Sequence, residues 1–133
     1  MLVGFTGTQR GMTEAQYGAM WTMLCARAPG VFHHGDCIGA DEKAAYLARK
    51  AGFRVVGHPP INESKRAFFP SDETWPAAAY LDRNKTIVNR SQEMIATPSE
   101  VEEQLRSGTW STIRYARRVG RPLHVLLPDG RLL

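Results

Sequence analysis

Short apolar runs alternate along the chain with stretches in which apolar residues return every three or four positions. Leu2-Val-Gly-Phe5 is a strand candidate, and the turn-rich Thr6-Gly-Thr-Gln-Arg-Gly11 follows it. Thr13 is a natural N-cap for a first helix, in which Tyr17, Met20, Trp21 and Leu24 recur at i, i+3, i+4 and i+7. Ala28-Pro-Gly30 ends that helix, and Val31-Phe-His-His34 reads as a second strand. A loop from Gly35 to Asp41 leads into a second helix with Ala44, Leu47, Ala48 and Ala51 on one face, closed by Gly52. Phe53-Arg-Val-Val56 is the third strand.

The rhythm then breaks. Four of the eight prolines fall between Gly57 and Pro76, with neither a helical nor an alternating period, so this segment reads as a long surface loop. A helix resumes over residues 80–91, a strand follows at Glu93-Met-Ile-Ala96, and a last helix runs from about Thr109 to Val119. Leu123-His-Val-Leu-Leu127 is the final strand. Strands and helices in this alternation predict a single α/β domain, a five-stranded, mainly parallel sheet with helices on both faces.

That topology makes the loops informative, because ligands of open α/β sheets bind beyond the carboxyl ends of the strands, where strand order reverses. Every unusual loop here follows a strand. If the long loop carries the chain back across the sheet, the first strand and the one at residues 93–96 become neighbours. Their loops, with Gly7, Thr8, Gln9 and Arg10 on one and Ser107, Gly108 and Thr109 on the other, then flank one crevice. A helix starting at Thr109 offers unpaired N–H groups and a partial positive charge to an anion. The plainer use of Ser107 or Thr109 is to cap the helix.

Asn84 interrupts an apolar face formed by Tyr80, Ile87 and Val88, a position that demands a hydrogen-bond partner or a ligand. Arg83 beside it could reach a phosphate with a planar fork of donors. Gly35, Asp36, Gly39 and Asp41 complete the candidate site, although Asp41 fits equally well as an N-cap or first-turn acid. Trp110 and Trp75 could stack on a base or fill the core. His33, His34 and Cys37 invite a metal reading, but no second His or Cys motif completes one, so packing stands ahead of it. Glu100, Glu102 and Glu103 read as a solvated acidic loop.

Charge and composition narrow the class. A net charge of +4 leaves room for a phosphate-bearing partner. Cys25 and Cys37 lack CxxC spacing and are expected as reduced thiols. No apolar run approaches the roughly 18 residues of a membrane span, and the N-terminus lacks the basic start and apolar core of a signal peptide. A cytoplasmic protein without a membrane partner is the expectation. Arg114, Arg117, Arg118 and Arg121 form a basic stripe on the last helix; a solvated face stands ahead of nucleic-acid binding there.

The loop from Gly35 to Asp41, Arg83-Asn84 with Ile87-Val88, and Ser107-Gly-Thr-Trp-Ser-Thr-Ile-Arg-Tyr-Ala116 with Gly120-Arg-Pro122 resemble the SLOG superfamily. This Rossmann-like group includes DNA-processing protein A, the Lonely-guy hydrolases and small bacterial and phage proteins. The resemblance spans almost the whole chain and is best in its last third. It implies one nucleotide-binding domain over residues 1–133, a nucleotide or nucleotide-derived ligand, and a homo-oligomer. The hydrolase branch carries Pro-Gly-Gly-x-Gly-Thr-x-x-Glu, whereas here the residue three positions after Thr109 is Thr112 and Leu105-Arg106-Ser107 replaces Pro-Gly-Gly. A hydroxyl cannot supply that carboxylate, so no catalytic residue is assigned. Binding for sensing, sequestration or carriage is expected, ahead of nucleotide N-glycosidic hydrolysis or single-stranded DNA binding.

Overall fold

A computed structural model describes residues 1–133. Strands β1 (Leu2–Gly7), β2 (Gly30–His34), β3 (Phe53–Gly57), β4 (Glu73–Thr74), β5 (Glu93–Thr97) and β6 (Leu123–Val125) alternate with helices α1 (Glu14–Arg27), α2 (Ala40–Ala51), α3 (Tyr80–Arg90) and α4 (Gly108–Arg118). A short 3-10 turn, Glu63–Lys65, lies between β3 and β4. The strands form one sheet in the order β4-β3-β2-β1-β5-β6, and every pairing is parallel.

The sheet therefore has six strands where the sequence suggests five. The extra one, β4, is two exposed polar residues inside the proline-rich segment, paired with Val56 and Gly57. Apolar periodicity cannot signal such a strand. Its anchor is Asp72, whose carboxylate accepts the Val55 N–H at 2.7 Å while its own N–H donates to the Val55 carbonyl.

Helices α1 and α2 cover one face of the sheet, burying Met20, Leu24, Ala44, Leu47 and Ala48 against Val3, Phe5, Phe32, Val55 and Ile95. Helices α3 and α4 cover the other, with Ile87, Val88 and Ala116 around Met94, and Trp110 and Ile113 against Ala96, Val125 and Leu127. Thr13 caps α1 as expected, in a capping box with Gln16. The buried face of α1 is rotated by one position from the sequence reading: Gln16, Met20 and Leu24 point inward, Tyr17 is half-buried and Trp21 is exposed. The reason is Gln16. Its amide nitrogen bridges the carbonyls of Pro98 and Leu126 at 2.8 and 2.9 Å, tying α1 to the ends of β5 and β6 through a polar residue.

Candidate functional site

Strand order reverses between β1 and β5, as the sequence argument requires, and Gly7 pairs with Thr97 at their carboxyl ends. The loops beyond these strands are knit together by backbone. Thr8 donates its N–H to the Thr97 carbonyl at 3.3 Å and accepts from the Ala40 N–H at 3.0 Å. Gly39 makes this closure feasible: its φ is 92°, and a Cβ there would overlap the Gln9 carbonyl. Gly7 is likewise pressed between Thr97 and Ala40.

Beneath the crossing lies a narrow polar cavity of about 10 Å³, lined by Gly7, Gln9, Gly35, Cys37, Asp41, Tyr80, Arg83 and Asn84 among others. Arg83 is its dominant group. Only 3% exposed, it donates to the carbonyls of Gly35 and His58 and, through Nε, to Asn84 Oδ1 at 2.8 Å. It takes part in none of the chain's ion pairs. A cation out of water, held by carbonyl oxygens, the Cys37 sulfur and the Tyr80 ring with no carboxylate in direct contact, would be further stabilised by an anion.

Two more buried polar atoms lack partners here, Asn84 Nδ2 and Thr97 Oγ1. Asp41, across Gly35 from Arg83, accepts the Cys37 N–H at 3.3 Å. Burial pushes its carboxyl up to about 6, against the opposing pull of Arg83. Burial also raises the Cys37 thiol and the Tyr80 phenol.

The other candidate residues fall into distinct roles. Gln9 lines the cavity from an exposed turn, whereas Arg10 points to solvent and only its backbone is engaged, by Thr8 Oγ1. Asp36 is not available to a ligand: its two carboxylate oxygens accept Arg66 Nε at 2.9 Å and the Phe69 N–H at 3.0 Å. Asp41 sits one residue inside α2, whose N-cap is Gly39, so it is a first-turn acid and not the cap. Ser107 caps α4 by accepting the Trp110 N–H at 3.2 Å, which leaves the Gly108 and Thr109 N–H groups without an acceptor in the chain.

Trp110 is 1% exposed in the core, which removes it as a stacking platform. Its indole donates to Glu100 at 3.0 Å. The acidic loop is correspondingly less solvated than the sequence suggests, since Glu103 also pairs with Arg114 at 2.7 Å. That second pair neutralises one end of the basic stripe and leaves Arg117 and Arg118 exposed. Tyr80 and Cys37 are cavity residues that the sequence reading does not place in the site. The i, i+4 spacing of Tyr80 and Asn84 contains the signal for the first of them.

The histidines at the ends of β2 and β3 form a separate buried cluster. His33 Nδ1 and His58 Nε2 lie 2.9 Å apart, and His34 Nε2 meets Ser71 Oγ at 2.9 Å. Burial holds all three below the usual imidazole range, His34 at about 3 and His58 at about 4. The unfolded chain accepts protons near pH 6.5 that the folded chain refuses, so stability is full above that pH and falls as pH drops towards 4. The slope is up to about 1.4 kcal/mol per pH unit for each histidine. Asp41, raised from 3.8 to about 6, works in the opposite direction and offsets one histidine across that window. Urea denaturation from pH 7.5 to 4.5 should show a net fall in stability, flattened by His34→Asn; a level profile would contradict the cluster's burial.

Comparison with known proteins finds no matching family model and no matching curated protein. Among solved structures, the molybdenum cofactor binding protein from the phototrophic bacterium Rippkaea orientalis is similar with a TM-score of 0.72 and 21% identity, over 96% of this chain and 76% of that one. The structural-genomics target TM1055 is similar with a TM-score of 0.65 and 17% identity, over 91% of this chain and 71% of that one. These likenesses establish the Rossmann-like fold. No helix is long and apolar enough to cross a membrane.

Proposed function

We propose that residues 1–133 form one SLOG-type domain that binds a nucleotide or nucleotide-derived small molecule, its phosphate lodged at the crevice between the β1 and β5 loops. The observation that carries this reading is Arg83, a buried cation in no ion pair, beside Asn84, whose amide nitrogen has no partner. The free Gly108 and Thr109 N–H groups at the start of α4 add donors and a favourable dipole. A similar structure is described as that of a molybdenum cofactor binding protein, which fits a role in holding a small molecule.

Binding without hydrolysis is the reading the side chains favour. Thr112 stands in the position of the hydrolases' glutamate, and its hydroxyl donates to the Gly108 carbonyl at 3.0 Å. Asp36 is spent on Arg66 and Phe69, so it is not free to replace that carboxylate. In a thermal-shift series with nucleoside monophosphates, diphosphates, cyclic nucleotides, ADP-ribose and the molybdenum cofactor, at least one ligand at 100 times its dissociation constant should add about 2.7 kcal/mol of apparent stability. Chromatography of the same mixtures should show no enzymatic release of free base. Silence across the series would refute nucleotide binding, and base release abolished by Arg83→Ala would refute the non-catalytic assignment.

A further inference from the structure

The polar cavity is too small for a nucleotide, being about the size of one water. Beside it runs an open groove of about 520 Å³, lined by Gln9, Cys37, Pro60, Ile61, Asn62, Lys65, Ala79 and Tyr80. That volume falls in the range of small-molecule sites. Only Gln9, Cys37 and Tyr80 line both spaces. Of these three, the Tyr80 ring is the one that both packs on Arg83 and reaches Gly108, which makes it the partition between the two spaces.

The division rests on a side chain placed to move. Tyr80 is the first residue of α3 and 42% exposed. Its ring stacks under the Arg83 guanidinium, 4.9 Å from Cζ to the ring centroid. The phenol reaches across to α4, where a Cβ on Gly108 would overlap its oxygen. The hydroxyl thus stands at the start of α4, beside the free N–H groups that would receive a phosphate oxygen. Asn84, 8% exposed with Nδ2 unpartnered, lines the same cavity.

We propose that Tyr80 is a displaceable wall, and that its withdrawal joins cavity and groove into one cleft for a phosphomonoester of a flat heterocycle. This assignment of ligand class rests on the nucleotide-binding reading above. The phosphate takes the place of the phenol at Gly108, Asn84 and Arg83. The ring lies in the groove against Pro60, Ile61 and Ala79, where Gln9 can meet its polar edge. Lys65, exposed and in no ion pair, adds a positive charge to the groove's lining.

Cys37 reports the wall's position without any ligand, because it is 6% exposed and stands with Tyr80 at the boundary shared by the two spaces. In a Cys25→Ser background its rate of modification by a thiol reagent should be slow. Gly108→Ala adds a methyl where the phenol oxygen sits, in a helical position that tolerates alanine, and so forces the ring outward. Cys37 modification should then rise at least tenfold with the melting temperature nearly unchanged, and Tyr80→Ala should give the same rise. Tyr80→Phe, which keeps the ring, should remain slow.

An unchanged rate in both Gly108→Ala and Tyr80→Ala overturns the displaceable wall. Millimolar AMP should protect Cys37 in Tyr80→Ala, where the space at Gly108 is left open, at least fivefold more than adenosine or inorganic phosphate does. An accelerated rate that neither AMP nor GMP suppresses would keep the wall and overturn the phosphomonoester assignment, so the two parts fail separately.

Discussion

Arg83→Ala is expected to weaken binding of a phosphate-bearing nucleotide by roughly 10- to 150-fold, the loss of about 1.5 to 3 kcal/mol that accompanies a charge-assisted hydrogen bond. The substitution also withdraws donors from the carbonyls of Gly35 and His58 and from Asn84 Oδ1, so some loss of fold stability accompanies it. Arg83→Lys separates the two effects. Lysine keeps the charge but loses the planar fork that reaches several acceptors at once. Affinity for a nucleoside monophosphate should partly recover in it, while affinity for the uncharged nucleoside should differ little among parent, Lys and Ala variants. Calorimetry on variants first shown to be folded by denaturation provides the measurement. Equal phosphate-ligand affinity in all three would mean that Arg83 serves only to tie β2, β3 and α3 together.

The removal of Arg83 also acts on Asp41. With the guanidinium gone, the remaining influence of burial moves the Asp41 carboxyl further above its present value of about 6. In the parent, binding of an anion of constant charge such as sulfate should strengthen as pH falls through 6, because protonating Asp41 removes a negative charge from the cavity wall.

The meeting of the β1 and β5 loops was legible because it depends on topology. A proline-rich crossing loop and an alternating series of strands and helices suffice to bring β1 beside β5, and the loops follow. What the sequence could not show is how space and polar valences are shared between distant segments. Gly108 reads as an open approach for a phosphate, yet the space in front of it holds a phenol from a residue 28 positions earlier. Trp110 was open to either assignment. Its register with Ile113 and Ala116, two buried residues of the same helix, favours the core, and the structure places it there. Asn84 was legible as a buried polar group on an apolar helical face: its Oδ1 finds Arg83 Nε, while its Nδ2 remains unpaired in the folded chain.

Asp36→Ala is expected to cost about 2 to 4 kcal/mol of stability, the range for breaking a largely buried ion pair and stranding its partners. The carboxylate is 2% exposed, and the Arg66 side chain that it holds is 23% exposed. Two further consequences of the change add to the loss. Asp36 occupies φ 50°, a left-handed conformation that aspartate tolerates better than alanine. The Phe69 N–H loses its acceptor, although the backbone bonds from Ala67 to Asp36 and from Ile38 to Lys65 remain to hold the segment loosely. Asp36→Asn retains an acceptor for Phe69 and the conformational tolerance, and should lose less. Urea denaturation compares the three proteins, with Arg66→Met closing a double-mutant cycle on the ion pair. A loss below about 1 kcal/mol for Asp36→Ala would show that the backbone bonds alone dock the 60–69 segment. The functional consequence follows from the groove: Pro60, Ile61 and Lys65 line it, so loosening their segment should weaken nucleotide binding. On the proposed reading, Asp36 acts on the cleft through the loop it pins.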